Sequence, residues 1–479
     1  MLTVLLILIP LIAGLLTFGL KGSGPKVLGM IASLASVAVA LGALFQFRTA
    51  PEGLHLTANW IPQLGSQFNV GLDGMGVMLC LLTAISFLVI FITIYTREYE
   101  RANSFYGLML LSQAGLIGVF TAYDALLFYF FWELALIPVY FLCSMWGGEK
   151  RIPVTFKFFV YTFLGSLLML VGLIYLYTQT PGDKSFSWTA FTTLNLAAGE
   201  QSWLFWLFFV AFAIKMPIFP FHTWQPDTYE QSPTPVTMVL SGIMVKMGLF
   251  GVIRWVLPVL PQGAAMWADV AIVLSIIGII YASCIAIMQQ DLKRLIAYSS
   301  IAHIGLMCAA IFANNDQSLQ GVQVQMFNHG INIIGMWIIV EIIQQRLNVK
   351  NMNDLGGIAQ VAPRMAIFLV IISLANIGLP LTNGFIGEFL MFSGLFQYNG
   401  WFMAVAGLGI ILAAVYTLNM IQRVMFGESN TLTAKTTDLQ GGELLALSLV
   451  VILILVLGVY PKPMLDLVSS TTEVVNKVF

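Results

Sequence analysis

The chain has 479 residues, 59% of them hydrophobic and 9% charged, a formal net charge of -1 and a mean hydropathy of +0.90. A water-facing domain carries roughly 25% charged residues, so most of this surface must meet lipid. The balanced charge offers no basic field for nucleic acid. Cys80, Cys143, Cys284 and Cys308 lie singly inside apolar runs, with no CxxC pair. That speaks against disulfides, zinc and iron–sulfur ligation, and for packing.

A helix crosses the hydrocarbon with about 20 apolar residues. Fourteen runs of that kind follow one another: 2–20, 27–47, 73–95, 104–122, 124–146, 155–178, 202–221, 236–257, 266–288, 294–312, 318–343, 364–395, 399–426 and 440–460. The expected fold class is an all-α polytopic membrane protein with about fourteen transmembrane helices. Residues 1–20 lack a basic leading segment and a small-residue cleavage site, so they read as a retained first span. The longest connection, about 48–72, contains Gly, Pro, Asn and Trp60 and reads as an interfacial loop. With the N-terminus outward, thirteen Lys and Arg fall in inner loops. Five fall outside: Arg48, Lys184, Arg254, Lys462 and Lys477. By the positive-inside rule this bias sets both termini on the outer side.

Six ionisable residues sit where lipid surrounds the chain. Glu133 lies in the fifth run, Lys215 in the seventh and Lys246 in the middle of the eighth. His303 is central in the tenth, His329 in the eleventh, and Glu388 lies late in the twelfth. A charge inside the bilayer is costly, so each is a functional candidate. A polar residue tying two helices together would account for a single buried histidine. It does not account for six titratable side chains on six helices. Lysine and glutamate held out of water, and histidine anywhere, exchange protons near neutral pH. The set therefore reads as a proton path.

Two runs are interrupted. Lys215-Met216-Pro217, with Pro220 after it, breaks the seventh, and Leu379-Pro380-Leu381-Thr382-Asn383-Gly384 breaks the twelfth. Proline removes a backbone donor and clashes with the preceding turn. Such breaks persist in lipid only where protein or water serves the freed backbone. The breaks lie five runs apart, so runs four to eight and nine to thirteen form two five-helix units, each broken in its fourth helix. An odd number of helices per unit inverts the second, as in many secondary transporters. The expected organisation is residues 1–95 as helices one to three and 104–257 as the first repeat. Residues 266–426 form the second, inverted repeat, and 440–479 the last helix with a short tail.

Phe131-Trp132-Glu133-Leu134 with Pro138, and Lys215-Met216-Pro217 with Pro220-Phe221-His222-Thr223-Trp224-Gln225-Pro226-Asp227, carry a resemblance. So do Ser300-Ile301-Ala302-His303, Asn328-His329-Gly330 and Asn383-Gly384-Phe385-Ile386-Gly387-Glu388-Phe389. As a set they resemble the antiporter-like membrane subunits of respiratory complex I, over about residues 90–430. The resemblance implies proton translocation driven by redox chemistry elsewhere. Glu133 and Lys215 would be an ion pair whose opening modulates the path, and Lys246 the central carrier. His303 and His329 would continue a hydrated axis, and Glu388 would pass the proton onward. Sister subunits usually carry lysine at the place of Glu388, and the short tail lacks the long lateral helix of one of them.

The resemblance also implies that this chain holds no cofactor, with flavin, iron–sulfur clusters and quinone in partner subunits. Its partners would be the other membrane subunits of the complex, including neighbouring antiporter-like ones, in a bacterial inner membrane. A subunit of a multi-subunit sodium/proton antiporter is the alternative. Asp124 suits either the acidic start of the fifth helix or a helix cap. His222 lies in the loop after the first break, where a structural role is one reading and its function stays open. Lys157 and His55 have no assigned role.

Overall fold

In the computed structural model the backbone is described for Met1–Val478 and side chains as far as Glu473, so the Lys477 side chain lies outside the described residues. Eleven described helices are long and apolar enough to cross a membrane: Gly24–Thr49, Gly74–Ile94, Ala102–Thr121, Ala125–Trp146, Arg151–Gln179, Thr234–Val259, Pro261–Met288, Leu292–Ala313, Asp316–Leu347, Gly400–Met425 and Gly441–Val459. Leu2–Thr17 and Pro363–Asn376 are shorter apolar helices. Ala198–Lys215 and Asn383–Tyr398 are the helical pieces that carry Lys215 and Glu388. The chain is thus a polytopic helical membrane protein.

The helices are not equally placed. The apolar stretches of Thr234–Val259 and Asp316–Leu347 are wholly buried in protein, whereas only 22% of that in Gly400–Met425 is buried. The helix bearing Lys246 and the helix bearing His329 are therefore central, and Gly400–Met425 faces lipid. Gly330 lets the two central helices meet: a Cβ there would come within 2.9 Å of the Gly242 carbonyl.

Three expectations need correction. The 48–72 connection is not a plain loop but contains an antiparallel hairpin, Leu56–Ile61 with Ser66–Val70, in which Leu56 faces Val70. Its polar strand groups pair with each other because the segment leaves the helical bundle. Cys284 is exposed on the apolar surface, while the other three cysteines are buried. The tail is a further helix, Lys462–Val478. Thr471 Oγ1 donates to Asp73 Oδ2 at 3.0 Å, and Gln323 Nε2 donates to Thr472 Oγ1 at 2.9 Å. These bonds fasten the tail to the start of Gly74–Ile94 and to the His329 helix.

Candidate functional site

Both interruptions are real gaps, and the way each closes places its charged residue. The first helix ends at Lys215, and a new one, Trp224–Gln231, begins after Pro217 and Pro220. The carbonyls freed by the proline find new donors. Ile218 N bonds Ala213 O at 2.9 Å, and the Trp224 indole Nε1 bonds Ile214 O at 2.9 Å. At the second gap Leu379 N bonds Leu374 O at 3.0 Å across Gly378, whose φ of +69° is open to glycine at little cost. A Cβ on Gly378 would fall 2.4 Å from Glu388 Oε2. The bare backbone of the gap is what leaves room for that carboxylate.

Lys246 sits between two π-helical turns, Leu240–Met244 and Val252–Val256. Such widened turns are rare and recur at functional sites. Its ammonium donates to the Ser241 carbonyl at 2.8 Å and lies 2.9 Å from His329 Nδ1. The His329 and His303 rings stand 5.5 Å apart. His303 Nδ1 is 3.3 Å from Glu388 Oε1, and its Nε2 is 3.3 Å from Asn376 Nδ2. Asn376 also donates to Ser299, which Tyr416 reaches at 3.0 Å. Lys246, His329, His303 and Glu388 lie on four helices and are separated by up to 142 positions in the chain (388 minus 246). They form one line of neighbouring side chains, each at most 7% exposed. Neighbouring groups that bind and release protons can pass one along such a line, with ring rotation between the two histidines.

Lys215 and Glu133 are placed differently. Lys215 is 1% exposed, and its Nζ has no hydrogen-bond partner in the protein. It stands 5.3 Å over the Trp132 ring. Glu133 is half-buried, and its Oε1 is likewise without a partner. The expected ion pair is not closed in this structure. The two charges feel each other through space without touching. Trp132, adjacent to Glu133, takes the contact, its ring packed against Phe212 of the Lys215 helix with centroids 5.6 Å apart.

Asp124 is a cap. Its carboxylate accepts from Leu126 N and Leu127 N, and also from Ser66 Oγ and Gln67 N at 2.9 Å, so it pins the hairpin to the Glu133 helix. Lys157 has a clear place. Its ammonium binds Asp227 and the Thr223 carbonyl, both at 2.9 Å, and holds the far side of the first gap. Asp227 also receives Arg294 at 3.0 Å. Burial alone would lift its carboxyl, but the two cations outweigh burial and hold it below the usual carboxylate range. His222 packs edge-on against Tyr281 at 5.3 Å, and His55 against Tyr123 at 5.4 Å.

Sequence reasoning missed three buried charges. Arg254, 7% exposed, pairs with Asp73 at 2.6 Å and with Tyr123 Oη at 2.7 Å. Lys293 is 4% exposed and Glu341 3%, and Glu341 pairs directly with Arg97. Glu341 lay within the apolar run 318–343 and was visible as a charge there. Lys293 and Arg254 were hidden by standing at run ends, where charges are ordinarily wet. Among the described residues, no group of three or more His, Cys, Asp or Glu could hold a metal ion.

Residues 122–413 match the family described as the transmembrane component of NADH:quinone oxidoreductase and Mrp antiporters. NADH-quinone oxidoreductase subunit M of Rickettsia typhi is 39% identical over 418 residues, covering 86% of this chain and 84% of its own length. Its counterpart in Rickettsia prowazekii is 36% identical over 98% of this chain and 97% of its own. A chain of respiratory complex I from Thermus thermophilus superposes with a TM-score of 0.90 at 28% identity, covering 99% of this chain and all of that one.

Proposed function

Because the chain belongs to the NADH:quinone oxidoreductase/Mrp antiporter transmembrane family, we propose that it serves as the M-type proton-translocating membrane subunit of an NADH:quinone oxidoreductase. The observation that carries this reading is the line of neighbouring side chains Lys246–His329–His303–Glu388. In it Lys246 is the central carrier, the two histidines relay, and Glu388 passes the proton on. Lys215 and Glu133 modulate the path: when their charges close on each other, the field at Lys246 changes. Redox chemistry in other subunits drives the cycle, and flavin, iron–sulfur clusters and quinone belong to those partners. The chain's neighbours are other antiporter-like membrane subunits of the same complex.

The same reading divides the chain into helices 1–95, a five-helix repeat 104–257, its inverted counterpart 266–426, and a last helix with its tail, 440–479. The inner ends carry the Lys and Arg excess, and both termini face outward from a bacterial inner membrane. The sodium/proton antiporter reading shares the fold and most motifs; Glu388 and the subunit M relatives favour the oxidoreductase.

The test is Lys246→Arg in the assembled complex. Arginine keeps the charge but releases no proton at any accessible pH. Proton pumping by reconstituted complex, with assembly checked separately, should be lost. Wild-type pumping would reduce Lys246 to an electrostatic anchor. Co-purification with small antiporter subunits instead of redox subunits would favour the alternative.

A further inference from the structure

On the face that the positive-inside bias makes inner, a polar cavity opens among the helix ends. Arg97, Glu230, Lys293, Glu341, Gln345 and Lys350 supply its charged and polar wall, and Ser232, Pro233 and Thr234 its floor. That floor is the beginning of the Lys246 helix. Lys293 is buried to 4% exposure yet makes no hydrogen bond or ion pair with any described side chain. The nearby carboxylate of Glu341 is taken by Arg97, and Gln345 Nε2 donates to it at 3.0 Å. Glu230, on the rim, is held by Arg294 at 2.9 Å. Lys293 is thus a cation at a cavity wall; of the acids near it, Glu341 is engaged by Arg97, and Asp291 accepts from the backbone N–H of Arg294 at 3.0 Å as the cap of its own helix.

From this cavity a polar column runs toward Lys246. Glu341 lies three turns beyond His329 on one helix, about 18 Å along the axis. Between them is Trp337, whose indole N–H is buried without a partner and whose ring stands 6.0 Å from that of Tyr229. The buried Tyr229 hydroxyl faces the Gln225 amide. Across from them the Thr237 hydroxyl bonds the Tyr229 carbonyl at 3.4 Å. Ser241 Oγ bonds Thr237 O at 2.7 Å, and Lys246 Nζ bonds Ser241 O at 2.8 Å. The Trp337 indole N–H, the Tyr229 hydroxyl and the Gln225 amide, buried together without direct protein partners, mark a place that water serves.

We propose that Lys293 is the proton-loading residue of this axis. Its amine takes a proton from the cavity to become an ammonium, then gives that proton to the column leading to Lys246 and returns to neutral amine. Arg97 holds Glu341 away from Lys293 during release. When Glu341 turns to Lys293 the ammonium is retained. This rests on the proton-path reading above and adds where the path loads.

The experiment compares Lys293→Arg with Lys246→Arg in reconstituted complex. Lys293→Arg keeps the charge, has the cavity to accommodate its larger head, and should lose most pumping while the complex assembles. A residue needed only for charge or topology would be replaced by arginine without loss. If Lys246→Arg fails to pump and Lys293→Arg pumps normally, the loading role is overturned and the axis stands. If both pump normally, the axis falls with it. A second measurement covers a variant that does not assemble. In a Cys284→Ser background, Gln345→Cys is labelled from the inner face with a bulky, membrane-impermeant thiol reagent. Labelling should cut pumping sharply, and undiminished pumping by fully labelled complex overturns the cavity as the loading mouth.

Discussion

At the second gap Glu388 has a partner, His303 at 3.3 Å, and the Gly378 backbone is packed against its carboxylate. At the first gap Lys215 has no hydrogen-bonding partner, only the Trp132 ring 5.3 Å away. Both gaps close with a bond spanning five residues, Ile218 to Ala213 and Leu379 to Leu374. Similar breaks therefore hold charges in opposite states. Lys215 ends its helix, where the negative end of the helix dipole favours a cation even without a counter-ion. Glu388 lies in the second turn of its piece, beyond the reach of that end effect, and depends on a side-chain partner. A break makes room for a charge; the neighbouring helix decides whether the charge is paired.

The comparison can be broken most severely at the unpaired end. Lys215→Ala and Glu133→Ala should each abolish most pumping in assembled complex, and Glu133→Asp should be partly tolerated. Since the two side chains do not touch here, a double-mutant cycle should give a coupling well below the several kcal/mol of a closed buried pair. A large coupling would mean that the working state closes the pair. At the paired end, Glu388→Gln should assemble and pump slowly, because the amide keeps the shape and loses the titratable proton. Normal pumping by this variant would make Glu388 structural.

Gly378→Ala sharpens the contrast between the gaps. It forces a left-handed alanine, costing about 1–2 kcal/mol, and drives a methyl into the Glu388 carboxylate. The expected result is a lower melting temperature together with slowed pumping. An equivalent loss at wild-type pumping rate would detach the gap geometry from Glu388.

The smallest effect belongs to the clamp on the first gap. Lys157 and Asp227 are each about a third exposed, so Lys157→Ala should cost less than about 1 kcal/mol after solvent screening. Asp227 is held below its ordinary range. Its contribution is therefore complete above the unfolded carboxylate value of about 3.9. It is lost only as pH falls through the lower folded value. Thermal stability should show no change from this pair between neutral pH and about pH 5.

The polytopic helical fold was legible because lipid imposes it: apolar runs of spanning length, few charges, and proline-marked breaks leave little else for the backbone to do. The break at Leu379–Gly384 and all six ionisable residues could be read from their intrusion into apolar runs. The hairpin at 56–70 was not read, although its strands alternate apolar and polar residues over Leu56–Ile61 and Ser66–Val70, because two short strands between spanning runs look like an ordinary polar connection. Lys293 and Arg254 were hidden because a charge at the end of an apolar run looks wet. Sequence fixes which side chains are costly to bury, because that cost is a property of each residue. Which of them meet was decided by tertiary structure alone. Lys246 reaches His329 through the close crossing at Gly242 and Gly330, and the Lys215 ammonium lies over the ring of Trp132 and not on Glu133. Distances of a few ångströms between separate helices depend on packing volumes that no single run encodes.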